Sequence, residues 1–281
     1  MISKNILWII LSLLTSFPVF AGGGAPKGKL FIIGGGERGE ELIKAMISES
    51  NLTPDDYIMV LPMSSELPVE STEAIAKQFQ ASGAKHISSI NFDRAMTANL
   101  KLVDSVRRAK LIFITGGDQN RFMSIVKDSE LYTALHQAYQ QGSLIAGTSA
   151  GAAIMSEKMI TGKPAHSNND RNPFGQLKHN IVEISEGMGF LKNAIVDQHF
   201  IARSRYTRLF STLASYPKLA AIGIDEGTAL LVYKNKATVI GKAQVLVVKN
   251  PRKLTVSKTG YISWNKVDFG LYTDKQQFKL N

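Results

Sequence analysis

Gly147-Thr148-Ser149-Ala150-Gly151 has the G-x-S-x-G spacing of a nucleophile on a tight strand-to-helix turn. The residues before it, Leu144-Ile145-Ala146, are apolar, and a helical stretch begins at Ala152. Small neighbours are required at such a turn, because a Cβ would collide with the adjoining strand and helix. The turn exposes the Ser149 hydroxyl and aims the first helical N–H groups at a developing oxyanion. A serine nucleophile also needs a base. Of the five histidines, His86 falls in a strand, His136 in a helix, and His166 and His179 in a polar stretch. His199 differs: Ile195-Val196 reads as a strand, Asp197-Gln198-His199-Phe200 ends it, and a helix follows. Active residues of α/β sheets gather at the carboxyl ends of strands. An acid that orients the base belongs in an equivalent place. Ile222-Gly223-Ile224-Asp225-Glu226-Gly227 offers two, Asp225 and Glu226.

The elements that must hold these residues alternate along the chain. Leu30 to Ile33, Tyr57 to Met63, His86 to Ile90, Leu111 to Thr115 and Leu144 to Gly147 read as strands. Helical patterns run over Glu40 to Ile47, Val69 to Ala81, Leu100 to Ala109 and Leu131 to Gln141. Strands alternating with helices of this length predict βαβ units and a mainly parallel sheet with helices on both faces. Three β-rich runs, Ala229 to Tyr233, Ala237 to Ile240 and Gln244 to Val248, read as an antiparallel addition to that sheet. Gly34-Gly35-Gly36-Glu37-Arg38-Gly39 is a formal G-x-G-x-x-G after the first strand. A dinucleotide site also wants an acid at the end of the second strand. Val60-Leu61-Pro62-Met63-Ser64 has none there, so the triplet reads as a turn that brings backbone close to something else.

Composition narrows the class. Of 281 residues, 44% are hydrophobic and 20% charged, enough apolar content for a sizeable core. There is no cysteine, which excludes a thiolate metal site, a redox dithiol, a disulfide scaffold and a cysteine nucleophile. Lys4, the apolar run Ile6 to Leu14, the break at Thr15 to Pro18 and the end Val19-Phe20-Ala21 have the layout of a secretory signal. The apolar run is shorter than the ~18 residues a membrane span needs. Cleavage after Ala21 would leave residues 22–281 as one 260-residue α/β unit (281 − 21) with no membrane anchor. The net charge of +10 selects no partner by itself. Seven basic residues, counting Lys249 itself, and two acidic ones run from Lys249 to the C-terminus, a basic extension whose reading is a solvated edge hairpin.

Four motifs in order carry a resemblance. Gly116-Gly117-Asp118-Gln119, Gly147 to Ala152, Asp197-Gln198-His199-Phe200 with Arg203, Arg205, Arg208 and Leu209, and Gly223-Ile224-Asp225-Glu226 closely resemble the cyanophycinases. These are serine peptidases related to dipeptidase E, and the similarity runs from about Lys27 to Val248. The resemblance implies a flavodoxin-like α/β fold shared with class I glutamine amidotransferase domains. It maps a Ser-His-Glu triad onto Ser149, His199 and Glu226, with Asp225 the rival orienter. It implies no metal or organic cofactor, no nucleic acid, and a homodimer. The implied substrate is cyanophycin, a polyaspartate with arginine on each side-chain carboxyl, cut into β-aspartyl-arginine dipeptides. Aspartyl or isoaspartyl dipeptides, and a non-catalytic binding role, are the rival readings.

Within that mapping the Ala150 N–H would form an oxyanion hole with an N–H of Gly117 or Asp118. Gln119 and Gln198 are expected to line the substrate pocket. Arg203, Arg205 and Arg208 read equally as a carboxylate clamp or as helix-surface charges paired to nearby acids. Their spacing lets at most two face one site. Asp197 and Asp118 are expected either to receive a substrate guanidinium or to cap turns. The long polar stretch Thr161 to Gly175 reads as a border of the cleft or a tolerated surface insertion.

Overall fold

A computed structural model describes residues 25–166 and 172–280 of the chain. The proposed signal at residues 1–21 lies outside them, as do residues 167–171 of the polar stretch. The first half of the chain is a run of βα units. These are β1 (Lys29–Ile33), α1 (Glu40–Ser50), β2 (Ile58–Leu61), α2 (Pro68–Ala81), β3 (Ile87–Ser89), α3 (Leu100–Arg108) and β4 (Leu111–Ile114). They continue with α4 (Gln119–Val126), α5 (Glu130–Gln141), β5 (Leu144–Thr148) and the short α6 (Ala150–Ala153). Then come the hairpin β6 (Lys158–Pro164) and β7 (Val182–Glu186), β8 (Ala194–Gln198), α7 (Tyr206–Ser215) and β9 (Ala220–Ile224). The chain closes with β10 (Thr228–Tyr233), β11 (Lys236–Gly241), β12 (Val245–Arg252), β13 (Thr255–Val256), β14 (Ile262–Ser263), β15 (Lys266–Tyr272) and β16 (Gln277–Lys279).

The central sheet has eight strands in the order β16-β11-β10-β1-β5-β4-β2-β3. Its β1-β5-β4-β2-β3 part is parallel, and β10, β11 and β16 extend it antiparallel from the β1 edge. Strands covered on both faces should be apolar throughout. β2, β4 and β5 are buried at every position. Phe31, Ile33, Val60, Phe113 and Ala146 face α1 and α2, meeting Leu42, Ile43, Met46, Ile75 and Phe79. Leu30, Ile32, Leu61, Ile112 and Ile145 face the opposite layer, where α3 to α6 supply Val103, Val106, Phe122, Leu131, Leu135 and Ala152. Each such side chain taken fully out of water is worth roughly 1.5–3 kcal/mol. The local signals agree with the packing. The Ser129 hydroxyl accepts from Tyr132 N–H to start α5, and Gly142, at φ 119°, ends it.

The sequence places all three late β-rich runs on the central sheet, and the structure separates them. β10 and β11 join it, but β12 crosses to a second, four-stranded sheet in the order β15-β12-β9-β8. β8 and β9 are parallel, and β12 and β15 run antiparallel to them. The reason is double burial. Val245 and Val247 of β12 pack into the main core, while Leu246 and Val248 join Phe200, Leu209 and Leu213 beneath α7. A strand apolar on both faces fits between two layers, not at a sheet edge. Two further elements carry no clear pattern in sequence. α4 buries Phe122, Met123 and Val126 in the core, with Ile125 packed partly against it. The β6–β7 hairpin uses Thr161 to Pro164, the first part of the polar stretch, as strand.

Candidate active site

Ser149 stands between β5 and α6 at φ 53° and ψ −109°. A non-glycine residue at positive φ costs of order 1–3 kcal/mol, so the surroundings must enforce it. Its own N–H donates to the Ile33 carbonyl at 3.0 Å, tying the turn to β1. A Cβ on Gly147 would lie 2.2 Å from the Gly151 carbonyl oxygen, and one on Gly151 2.4 Å from that of Ile114. Those two glycines let the chain reverse tightly enough to lift the hydroxyl above the sheet.

β8 and β9 belong to the second sheet, yet their carboxyl ends come to the same place. The His199 N–H donates to the Gly34 carbonyl at 2.7 Å, and the Gly227 N–H to that of Gly35 at 3.0 Å. The loop after β1 therefore stitches the two sheets together. Ser149 Oγ lies 2.8 Å from His199 Nε2, and His199 Nδ1 lies 2.5 Å from Glu226 Oε1. An ionised carboxylate only accepts, so Nδ1 carries the proton and Nε2 accepts from the serine hydroxyl. Burial pushes the imidazole below its ordinary range. The hydrogen bond to Glu226 pulls the other way, and the nearby charge of Arg203 lowers it further. A neutral imidazole held in this tautomer can take the Ser149 proton.

The glycine triplet is explained here. A Cβ on Gly35 would sit 2.3 Å from His199 Cε1, and one on Gly36 2.6 Å from Glu226 Cβ. The close approach is to the imidazole and the carboxylate behind it. Asp225, the rival acid, is turned away: its Oδ1 accepts from Ile201 N–H at 3.1 Å and Ala202 N–H at 2.9 Å, capping the turn after His199.

Other expected site residues are distributed differently. The Ala150 and Gly117 N–H groups donate to no acceptor among the described residues, and a Cβ on Gly116 would sit 3.3 Å from Ser149 Cβ. Asp118 is corrected: its N–H donates to the Ser64 carbonyl at 2.8 Å, so of the two expected donors only Gly117 remains. The Asp118 carboxylate caps α4 by accepting from Asn120 N–H at 2.7 Å. The Gln119 amide donates to the Ile160 and Thr161 carbonyls at 3.0 and 2.6 Å, bracing β6.

The arginine clamp is corrected in the same way. Asp197 is 0% exposed and Arg208 7%, and the two face each other with Arg208 Nε donating to Oδ2 at 2.6 Å. Arg208 Nη2 bonds the other carboxylate oxygen, completing a fork. Arg205 Nη1 donates to the Gln198 carbonyl and Oε1 at 2.7 and 2.6 Å and reaches Asp197 at 3.4 Å. Burial, with Arg208 alongside, lowers the Arg205 guanidinium to about 10. Asp197, Gln198, Arg205 and Arg208 thus brace one another. Arg203 is exposed; its N–H donates to the His199 carbonyl at 3.0 Å, and its side chain makes no hydrogen bond or ion pair among the described residues. No group of three or more His, Asp or Glu side chains among those residues is placed to hold a metal ion.

The profile of peptidase family S51 matches residues 30–240. The chain belongs to peptidase family S51. Among S51 relatives, a cyanophycinase from Nostoc sp. is 29% identical over 248 residues, covering 86% of this chain and 80% of its own. One from Geminocystis herdmanii is 32% identical over 228 residues, covering 79% and 80%. The fold is also that of a crystallised peptidase from an acI-B1 Actinobacterium, with a TM-score of 0.66 at 22% identity over 91% of this chain and 98% of that one. A putative peptidase E protein from Listeria monocytogenes superposes with a TM-score of 0.54 at 14% identity, over 77% and 99%. As an S51 member the chain is a serine-type peptidase, and its resemblance to the cyanophycinases holds over most of its length.

Proposed function

We propose that the protein is an exported cyanophycinase that hydrolyses aspartyl amide bonds through Ser149, His199 and Glu226. The observation that carries this reading is the continuous hydrogen-bonded chain from Ser149 Oγ through His199 to Glu226, built on a strained turn. Ser149 Oγ attacks the scissile carbonyl carbon while its proton passes to His199 Nε2. Glu226 holds the imidazolium that results. The negative charge moves to the carbonyl oxygen, which the Ala150 and Gly117 N–H groups meet, each worth ~3 kcal/mol in the transition state. Collapse expels the amine, which takes the proton from His199 and leaves an aspartyl ester on Ser149. Water, deprotonated by the same nitrogen, adds to that ester, and collapse releases the acid as His199 returns the proton to Ser149 Oγ.

The two cyanophycinases that align over most of the chain support the polymer as substrate. The test is purified protein and its Ser149→Ala variant on cyanophycin, with products read by mass spectrometry. β-Aspartyl-arginine from the wild type alone is expected. Equal turnover by the variant overturns the nucleophile. An intact polymer with cleaved aspartyl dipeptides would replace the cyanophycinase with a dipeptidase. Export rests on residues 1–21, and an N-terminus at Gly22 in the mature protein tests it. The homodimer rests on the resemblance alone and is tested by light scattering.

A further inference from the structure

Arg38 follows the glycines that back His199 and Glu226, and neither the hydrogen-bonded chain nor the core uses its charge. Its Nε donates to Gln78 Oε1 at 3.1 Å, and the Gln78 amide returns to the Arg38 carbonyl at 3.4 Å. The guanidinium carbon lies 6.0 Å from the centroid of the Phe113 ring. These contacts fix where the head group points. Its two terminal nitrogens donate to nothing among the described residues, and no carboxylate pairs with it there. It is half-buried, and burial holds the guanidinium below its ordinary value. A partly desolvated cation without an acid is costly unless an anion arrives.

The neighbouring strand ends are polar in the same unfinished way. Thr115 directly follows the last residue of β4, at the carboxyl end above Phe113. Thr148 is the last residue of β5, and the register pairing Ile114 with Gly147 brings the two threonines to the carboxyl ends of neighbouring strands. The Thr115, Thr148 and Ser64 hydroxyls are buried and find no hydrogen-bond partner among the described residues. Buried hydroxyls of this kind are completed by ordered water or by a ligand. Ser64 also supplies the carbonyl that orients the loop after β4, next to the free Gly117 N–H. Meanwhile Arg205 and Arg208 are engaged by Asp197 and Gln198.

We infer that Arg38 is a specificity residue that receives a free carboxylate of the substrate beside the scissile amide, with water on the Thr115 and Thr148 hydroxyls completing the site. This rests on the proposed aspartyl-amide reading, in which each repeat of the polymer carries one free arginyl carboxylate. The planar guanidinium matches a carboxylate with two parallel hydrogen bonds.

The test uses binding to the full-length Ser149→Ala protein, with β-aspartyl-arginine and its C-terminal amide titrated calorimetrically. The carboxylate form should bind about 10- to 100-fold more tightly than the amide, the range for a charge-assisted contact. Arg38→Met, which keeps the stem over Phe113, should abolish that difference, and Arg38→Lys should restore part of it. Circular dichroism of the lysine variant controls for folding. Equal affinities in the Ser149→Ala parent overturn the inference. So does a preference that survives Arg38→Met, one that disappears with Arg203→Gln instead, or failure of both compounds to bind. In the active enzyme, Arg38→Met should raise KM for cyanophycin about 10-fold or more with kcat little changed. A wild type that cleaves neither polymer nor dipeptides removes the proposed function, while the binding result decides the carboxylate site by itself.

Discussion

The ion pair at Asp197 and the chain at His199 begin two residues apart, at the end of one strand, and are built on opposite principles. Asp197 has no exposed surface, and both its oxygens accept from arginines that are largely buried themselves. Nothing is left for a substrate. His199 has one nitrogen on Glu226 and the other on the Ser149 hydroxyl, whose proton it takes in the proposed reaction, and Glu226 keeps 39% of its side chain in solvent. The saturated group gives rigidity, and the unsaturated one is the group to which the proposed mechanism assigns the chemistry. A buried charge whose lone pairs are all engaged holds its neighbours in place. Here it holds Gln198, and through it the turn on which His199 sits at φ 50°.

Substitutions can separate the two behaviours. The largest expected effect is on turnover: Ser149→Ala should lower kcat by at least ~10⁴-fold, with a melting temperature close to that of wild type, since alanine keeps the same Cβ on the strained turn and gives up one hydrogen bond worth ~1 kcal/mol. Glu226→Gln should follow at ~10³- to 10⁴-fold in kcat with little loss of stability, because the amide no longer enforces the required tautomer. The opposite signature is expected at the ion pair. Asp197→Asn leaves Arg208 buried with a neutral partner and should cost ~3–5 kcal/mol, read from a denaturant midpoint. The double replacement Asp197→Leu with Arg208→Met should recover part of that loss, and a double variant no more stable than Asp197→Asn would count against the comparison.

The smallest effect is one of pH. A base must be neutral to act, and burial lowers the His199 value, so the acid limb of kcat/KM should fall below pH 6.5. Above that limb the imidazole is free to accept a proton, and rate is lost only as pH falls through the lowered value. Glu226 raises the value, so in the residual activity of Glu226→Gln the limb should move further toward acid. A limb above 6.5 in the wild type would show that proximity of the carboxylate outweighs burial.

Ser149 was legible because its turn admits so few residue types: a Cβ on Gly147 or Gly151 would lie 2.2 Å from the Gly151 carbonyl oxygen or 2.4 Å from that of Ile114, and the small residues this demands fall within one five-residue pattern. The βα alternation was legible for the same local reason, since β2, β4 and β5 are apolar without interruption. The arginines were not. Spacing says that Arg203, Arg205 and Arg208 cannot all face one way, but whether a guanidinium meets Asp197 or a substrate depends on how α7 lies across β8. β12 was misplaced on the central sheet because an apolar run states that it is buried and not which layers bury it.

Residue types and short-range spacing alone thus determined the α/β class, the serine in place of a thiol, and the narrow choice of His199 with Asp225 or Glu226. Those properties follow from sterics and periodicity within about ten residues of chain. Spacing left both acids open and the cyanophycinase resemblance favoured Glu226; which backbone N–H groups stay free and which arginines are already engaged came only with the assembled fold. Each depends on two sheets meeting at the loop after β1, where Gly34 and Gly35 accept from His199 and Gly227. No local pattern encodes a contact between strand ends that lie more than a hundred residues apart in the chain.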